Sequence, residues 1–335
     1  MKPKDRDFIQ TIDDHLFCVV GYLHPPDRTT AYLKYIPSSE GKWGRGTHHY
    51  TRTLRYYSVS QVENTYEYLK SNHPEYLYWC EVRNITVSAV PKSFIKRYFE
   101  PRARLSEIRL IGSSDVLEEK LLELTDLVSE EVGLGCIGVT GSILLDIHNP
   151  EFSDIDLTVY GIEASLKLRE ALTNRRLNQV KPPSRKETEK WVNDRAARFP
   201  LSPEELRKAS TRRWNYGYYK GTYFSIHPTR TDDEIVESYG DNTYHREGEV
   251  SGTARVENDI ESIYLPSRYQ VSDVEADHRG DITEVVSFEG MYGGLFKMDE
   301  RIEFKGILER VTGKNPHRRV IIGGAGYPSG YIKWV

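Results

Sequence analysis

Two aspartates one residue apart, Asp154 and Asp156, open an alternating apolar run in the stretch GVTGSILLDIHNPEFSDIDLTVYG, residues 138–161. In a strand, residues i and i+2 point to the same face. The two carboxylates would then lie side by side, with Ile155, Leu157 and Val159 packed behind them. Like charges at that spacing raise each other's pKa unless a cation neutralises them. Mg²⁺ suits the role, being a hard ion held by one or two carboxylates together with substrate phosphates, and Mn²⁺ could replace it. Gly141 and Ser142 stand eleven residues ahead, between the apolar CIGV and a short helix-forming run. A glycine there lets the backbone approach a phosphate, a new helix presents free N–H groups, and the serine hydroxyl adds a donor. A metal grip beside a phosphate grip is what nucleotidyl transfer requires, since two ions can flank a transferring phosphoryl group.

The segment resembles the signature of the DNA polymerase β-like nucleotidyltransferase superfamily, which includes poly(A) polymerases, CCA-adding enzymes and small antibiotic nucleotidyltransferases. That signature is Gly-Gly or Gly-Ser, a short spacer, then Asp-apolar-Asp/Glu-apolar. This chain reads Gly141-Ser142, eleven residues, Asp154-Ile155-Asp156-Leu157. The likeness covers roughly residues 114–227, and the wider chain, including DDHLFCVVGYLHPPDR and EYLYWCEV, is similar to archaeal proteins described only as predicted nucleotidyltransferases. The resemblance implies an α+β fold built on a nucleotidyltransferase-type mixed sheet with helices. It implies that Gly141 and Ser142 hold the triphosphate, and that Asp154 and Asp156 are catalytic and bind the metal. The implied reaction moves a nucleoside monophosphate from a nucleoside triphosphate to an acceptor, such as RNA, and releases pyrophosphate. The resemblance also implies a third carboxylate on a later, adjacent strand, where it orients or deprotonates the acceptor. The best strand, GTYFSIHPTR, offers Ser225 and His227 but no acid, which leaves His227 as the candidate base or third ligand. Asp232, Asp233 and Glu234 follow, to fold back into the site or to form a solvated turn. The alternative reading keeps the fold without the chemistry, as an inactive nucleotide- or RNA-binding module.

Between the two strands, LRKASTRRWNYGYYKGTYF mixes basic and aromatic residues. Guanidinium groups suit phosphates and aromatic faces stack on bases, so Arg212, Arg213 and Lys220 are the candidate contacts to nucleotide or acceptor. The alternative is a helix whose basic face is solvated and whose aromatics are core.

These residues need a frame. A length of 335 residues allows two or three domains. Residues 1–112 read as a separate N-terminal α/β domain without recognisable site chemistry, residues 113–240 as the nucleotidyltransferase core, and residues 241–335 as a β-rich sandwich or barrel-like domain. In the first, HLFCVVGYL and TTAYLKYIP are strands, SVSQVENTYEYLKSN is a helix capped by Ser58 or Ser60, and PKSFIKRYF is a short helix opened by Pro91. In the second, SSDVLEEKLLELTDLVSEEVG is a helix capped by Ser113 or Ser114 and ended by Gly133. Short β-runs separated by turns fill the third. The net charge of −4 gives no overall pull toward nucleic acid, so a polyanion site must be a local patch. No window approaches the roughly 18 apolar residues of a membrane span, and an N-terminus without an apolar core points to the cytoplasm. Cys18, Cys80 and Cys136 are odd in number and lack a CxxC, which favours buried thiols.

Overall fold

The computed structural model describes residues 2–53, 59–278, 280–323 and 330–335, and three sheets carry the α+β architecture. The first sheet is antiparallel throughout. Its order is Trp43–Arg45, His48–Arg52, Arg28–Pro37, Leu16–Val19, Phe8–Thr11 and Ile95–Phe99. The strand Ile85–Pro91 joins the start of Arg28–Pro37, and Leu77–Cys80 lies outside it, so the sheet curls into a half-barrel. Both faces are buried, which explains why HLFCVV is nearly continuously apolar. On one face Ile9, Phe17, Val19 and Leu33 pack on Leu69, from the helix Val59–Asn72, and on Tyr76. On the other, Phe8, Leu16, Cys18 and Tyr35 pack on Leu144, Leu145 and Ile147, directly after the Gly-Ser pair.

The N-terminal region is thus an antiparallel sheet with the helix Val59–Asn72, and one of its faces packs on residues of the 113–240 segment. PKSFIKRYF is corrected: Lys92–Phe94 makes one tight turn and Ile95–Phe99 is a strand paired with Phe8–Thr11. Tertiary pairing outweighs local propensity there. The helix begins later, at Pro101–Ile111, with Glu100 accepting from the Ala103 amide as its cap. Ser58 lies outside the described residues, and the helix that it was expected to cap already includes Ser60.

The second sheet runs Val180–Lys181, Tyr216–Tyr219, Thr222–Thr229, Ile155–Tyr160 and Ile137–Thr140. Only Ile155–Tyr160 and Thr222–Thr229 are parallel to each other. Helices Pro101–Ile111, Val116–Val132 and Ile162–Thr173 cover one face through Leu105, Ile108, Leu121, Leu124 and Leu168. The opposite face carries Asp156, Ser225 and His227, which line a cleft. The cap of Val116–Val132 is Asp115, not Ser113 or Ser114; Ser114 instead donates to Glu118. Gly133 ends this helix at φ 81°, as its sequence position suggested.

Helices Arg185–Ala196 and Pro203–Arg212 each open on a serine capping box, Ser184 with Glu187 and Ser202 with Glu205. Val192, Leu206 and Ala209 send them onto the C-terminal core rather than the central sheet. That core fills a closed barrel: Asn242–Asn258, Ser267–Ala276, Ile282–Ser287, His317–Ile322 and Arg301–Gly313 pair in turn, and Arg301–Gly313 returns to Asn242–Asn258. Tyr331–Trp334 adds to its outside edge. No helix among the described residues is long and apolar enough to cross a membrane. The three cysteines are free, with Cys18 and Cys80 buried.

Candidate active site

Ile155, Leu157 and Val159 are fully buried against the helices, which obliges Asp154 and Asp156 to face the other way. Both carboxylates line one cleft of about 420 Å³. Asp154 is exposed at its mouth and Asp156 is half-buried. The Asp156 charge beside it, together with burial, pushes Asp154 up to about 6. Burial opposes ionisation of Asp156 as well, but hydrogen bonding to His227, the Lys34 ammonium and Ser225 outweigh it and hold Asp156 well below the usual carboxylate range. One carboxylate thus carries a firm charge and its neighbour titrates just under neutrality. A hard divalent ion at this pair would relieve the repulsion, and two oxygen donors on one accessible face fit such an ion.

The neighbouring parallel strand supplies the support. Ser225 is in register with Asp156, and His227 with Thr158. The Ser225 hydroxyl donates to Asp156 Oδ1, and its oxygen lies 2.8 Å from His227 Nε2. His227 Nε2 is 3.8 Å from Asp156 Oδ1, so the ring acts on the carboxylate directly as well as through the serine. Burial, and then the Arg6 charge, push His227 down to about 4, leaving it neutral near pH 7. On the other side of the motif strand, Gly141 adopts φ 70° with its α-carbon against Asp156; a Cβ there would stand 2.5 Å from Asp156 Oδ2. The glycine makes room for the carboxylate itself. Gly141 and Ser142, expected from the sequence to grip a phosphate, are buried and are not among the residues that line the cleft. The N-terminal segment lies over them, with the Thr140 hydroxyl donating to the Arg6 carbonyl at 2.6 Å.

Positive charge comes from elsewhere. Eight Arg and Lys side chains line the cleft against four carboxylates, in a chain whose overall charge is negative. Arg6, Lys34 and Arg52 belong to the N-terminal sheet region, which the sequence had left without a role. Lys34 is buried, and burial pushes its ammonium down to about 8. Arg6 holds a left-handed backbone, φ 74°, which is costly for a residue with a Cβ and recurs at functional positions. A signal existed in the sequence: Lys34 is a charged residue inside the apolar run TTAYLKYIP. The opposite wall carries Arg213, whose guanidinium sits 4.0 Å over the Tyr216 ring and 5.0 Å over Trp191. Tyr216 stacks on Tyr223.

The remaining sequence candidates do not reach this cleft. Arg212 makes a two-pronged pair with Glu300, at 2.6 and 2.7 Å, and leans on Trp334 of the barrel. Lys220 and Gly221, at φ 44° and 78°, form the two-residue turn of the hairpin that ends the sheet. The Lys220 ammonium is tied to Glu123 at 2.5 Å. Asp232 pairs with Lys4 at 2.7 Å. Glu234 accepts from the Ile162 and Thr231 amides, replacing the cap that Gly161 cannot provide. Asp233 is exposed. No third acid comes from that turn, and the position opposite Asp156 is a serine.

An uncharacterized protein of Methanocaldococcus jannaschii is 34% identical over 331 residues, covering 96% of each chain. The chain belongs to that protein's family. No family model matches the chain, and no solved structure does. The likeness spans the N-terminal sheet, the central sheet and the barrel alike, so the whole arrangement is the family's unit.

Proposed function

We propose that the chain is a metal-dependent nucleotidyltransferase, with a central sheet of the nucleotidyltransferase type. It moves a nucleoside monophosphate from a nucleoside triphosphate to an acceptor such as RNA, with release of pyrophosphate. One observation carries the reading: two adjacent carboxylates line a cleft whose remaining charge is mainly positive. A purely cationic cleft would suit anion binding, and a purely acidic one a structural ion. Both together suit a polyphosphate substrate handled with divalent ions.

Asp154 and Asp156 would hold Mg²⁺ or Mn²⁺, which when bound supplies charge neutralisation at the phosphoryl group. Arg6, Lys34 and Arg52 neutralise the triphosphate from the facing wall, where charge-assisted hydrogen bonds are strong. Arg213 and Tyr216 present a flat cationic and aromatic surface to a base. A second, wider cleft of about 2160 Å³ shares Trp191, Arg195, Arg213, Tyr216 and Tyr223 with the first, and offers the acceptor its path. The acceptor hydroxyl attacks the α-phosphorus and the pyrophosphate departs along the cationic wall. His227, acting on Asp156 directly and through Ser225, positions that carboxylate. Catalysis on this scheme is mostly placement and electrostatics.

Ser225 supports a second reading, because it stands where a third acid would be expected. On that reading the site binds nucleotide without turnover. Labelled nucleoside triphosphates, Mg²⁺ or Mn²⁺ and mixed cellular RNA separate the two. Product that is lost in Asp154→Asn and Asp156→Asn supports the transferase. Nucleotide bound with equal strength with and without metal, and no product, supports the binding module.

A further inference from the structure

A second cluster of metal-ligating side chains lies in the N-terminal sheet region, apart from the proposed nucleotide site. Asp13 and His15 sit in the turn between Phe8–Thr11 and Leu16–Val19, and His73 follows the helix Val59–Asn72. The turn is tightened by the Asp14 amide donating to the Thr11 carbonyl and by a left-handed Asp14 at φ 62°. His15 Nδ1 lies 3.1 Å from Asp13 Oδ2, and His73 Nδ1 lies 3.0 Å from the same oxygen. His73 Nδ1 is also 3.4 Å from Glu75 Oε1. Ligand atoms about 2.0 Å from a tetrahedral ion stand roughly 3.3 Å from one another. All three separations match that edge.

The surroundings are those of ligands rather than of a simple ion pair. His15 is 6% exposed, and its Nδ1 makes no hydrogen bond although it faces the Asp13 carboxylate. Its other nitrogen, Nε2, is engaged by the Tyr68 hydroxyl at 3.0 Å. The other oxygen of Asp13 is occupied by the Thr11 hydroxyl and by Tyr76 at 2.7 Å, which leaves Oδ2 directed at the two imidazoles. Metal-binding histidines and carboxylates are oriented by such outer partners. Among the described residues, one other acid-and-histidine group comes together, Glu118, Asp146 and His148. There Arg104 already neutralises Glu118 and Asp146, at 3.1 and 3.0 Å, and His148 is held by Asp115. Among the described residues no Arg or Lys pairs with Asp13, His15 or His73 in this way.

We propose that Asp13, His15 and His73, with water completing the set, bind a zinc ion that fastens the first hairpin to the end of the helix Val59–Asn72. Two imidazole nitrogens with a carboxylate oxygen select a borderline ion such as Zn²⁺ over Mg²⁺. The ion has a structural role, and the strand leaving the cluster runs to Val19 and Val20 in the cleft wall.

Full-length protein, stripped with a chelator and titrated with Zn²⁺ or with Co²⁺ as a visible-absorption probe, tests this. The expected result is one tight zinc per chain, displaced Co²⁺ bands of a four-coordinate ion, and a thermal midpoint raised by zinc but not by Mg²⁺. Asp13→Asn and His73→Ala should abolish the site, Tyr68→Phe should weaken it about tenfold, and Asp154→Asn should leave it intact. Circular dichroism confirms that each variant is folded. Should His73→Ala fail to fold, the wild-type titration still decides. Absence of a stoichiometric zinc in the wild type, or binding undiminished in folded Asp13→Asn and His73→Ala, overturns the proposal.

Discussion

The two walls of the cleft are built in opposite ways. The acidic wall comes from a single strand: Asp154 and Asp156 are neighbours in sequence, in space and in electrostatics. The cationic wall is assembled from Arg6, Lys34 and Arg52, which lie on three separate segments of the N-terminal sheet region and meet only when it folds. A strand's period of two turns spacing directly into geometry, whereas a patch gathered from several strands has no spacing to read. The carboxylates also need the other wall, because Lys34 is among the groups that keep Asp156 ionised despite its burial.

The comparison breaks first at the acidic wall. Asp156→Asn should cost about 10²–10³ in turnover, the scale of removing one preorganised electrostatic group. Steady-state rates with labelled nucleoside triphosphate measure it, with thermal melting confirming that the fold survives. Next comes the cationic wall. Lys34→Met keeps the apolar stem and removes the charge, and nucleotide affinity should fall about ten- to a hundredfold, the worth of a charge-assisted hydrogen bond. An unchanged dissociation constant would remove this wall from the site.

The carboxylate pair can then be sharpened by pH. Asp154 is neutral below about 6 and anionic above it. Mn²⁺ binding in the absence of nucleotide must displace its proton, so affinity should fall about tenfold per pH unit below that value and level off above it. In Asp156→Asn the neighbouring charge is gone, and the inflection should move down toward the ordinary carboxylate range. An inflection that stays in place would show that Asp156 does not set it. The smallest effect on nucleotide binding is expected at Arg212→Ala. Its pair with Glu300 holds the helix Pro203–Arg212 to the barrel, so melting should reveal a loss of about 1–3 kcal/mol while nucleotide affinity holds steady.

How far the sequence could be read follows from the same contrast. The motif strand, the helix ending at Gly133 and the β-rich C-terminus all rest on local period and capping, and their residues take those forms. Asp154 and Asp156 were legible for that reason. Gly141 was legible as a special position, but its contact is a carboxylate rather than an open cleft. Arg212 and Lys220 read as contacts because they are basic and adjacent to aromatics; the structure pairs them with Glu300 and Glu123, far away in sequence, and places Arg212 in the lining of the second cleft. PKSFIKRYF was misread because its pairing partner, Phe8–Thr11, lies some ninety residues upstream. The cluster of Asp13, His15 and His73 was hidden similarly, since His73 joins the other two from about sixty residues further along the chain.

The cleft's lining begins at Asp5 and ends at Ile321, passing through all three sheets. During synthesis its first cations emerge long before the barrel residues that close the far side. A ribosome-bound chain cannot present the finished cleft until residues as far along as Ile321 have been made. If the proposed nucleotide site is correct, competence to engage a nucleotide arrives late and all at once, and nucleotide capture then reports on completed folding.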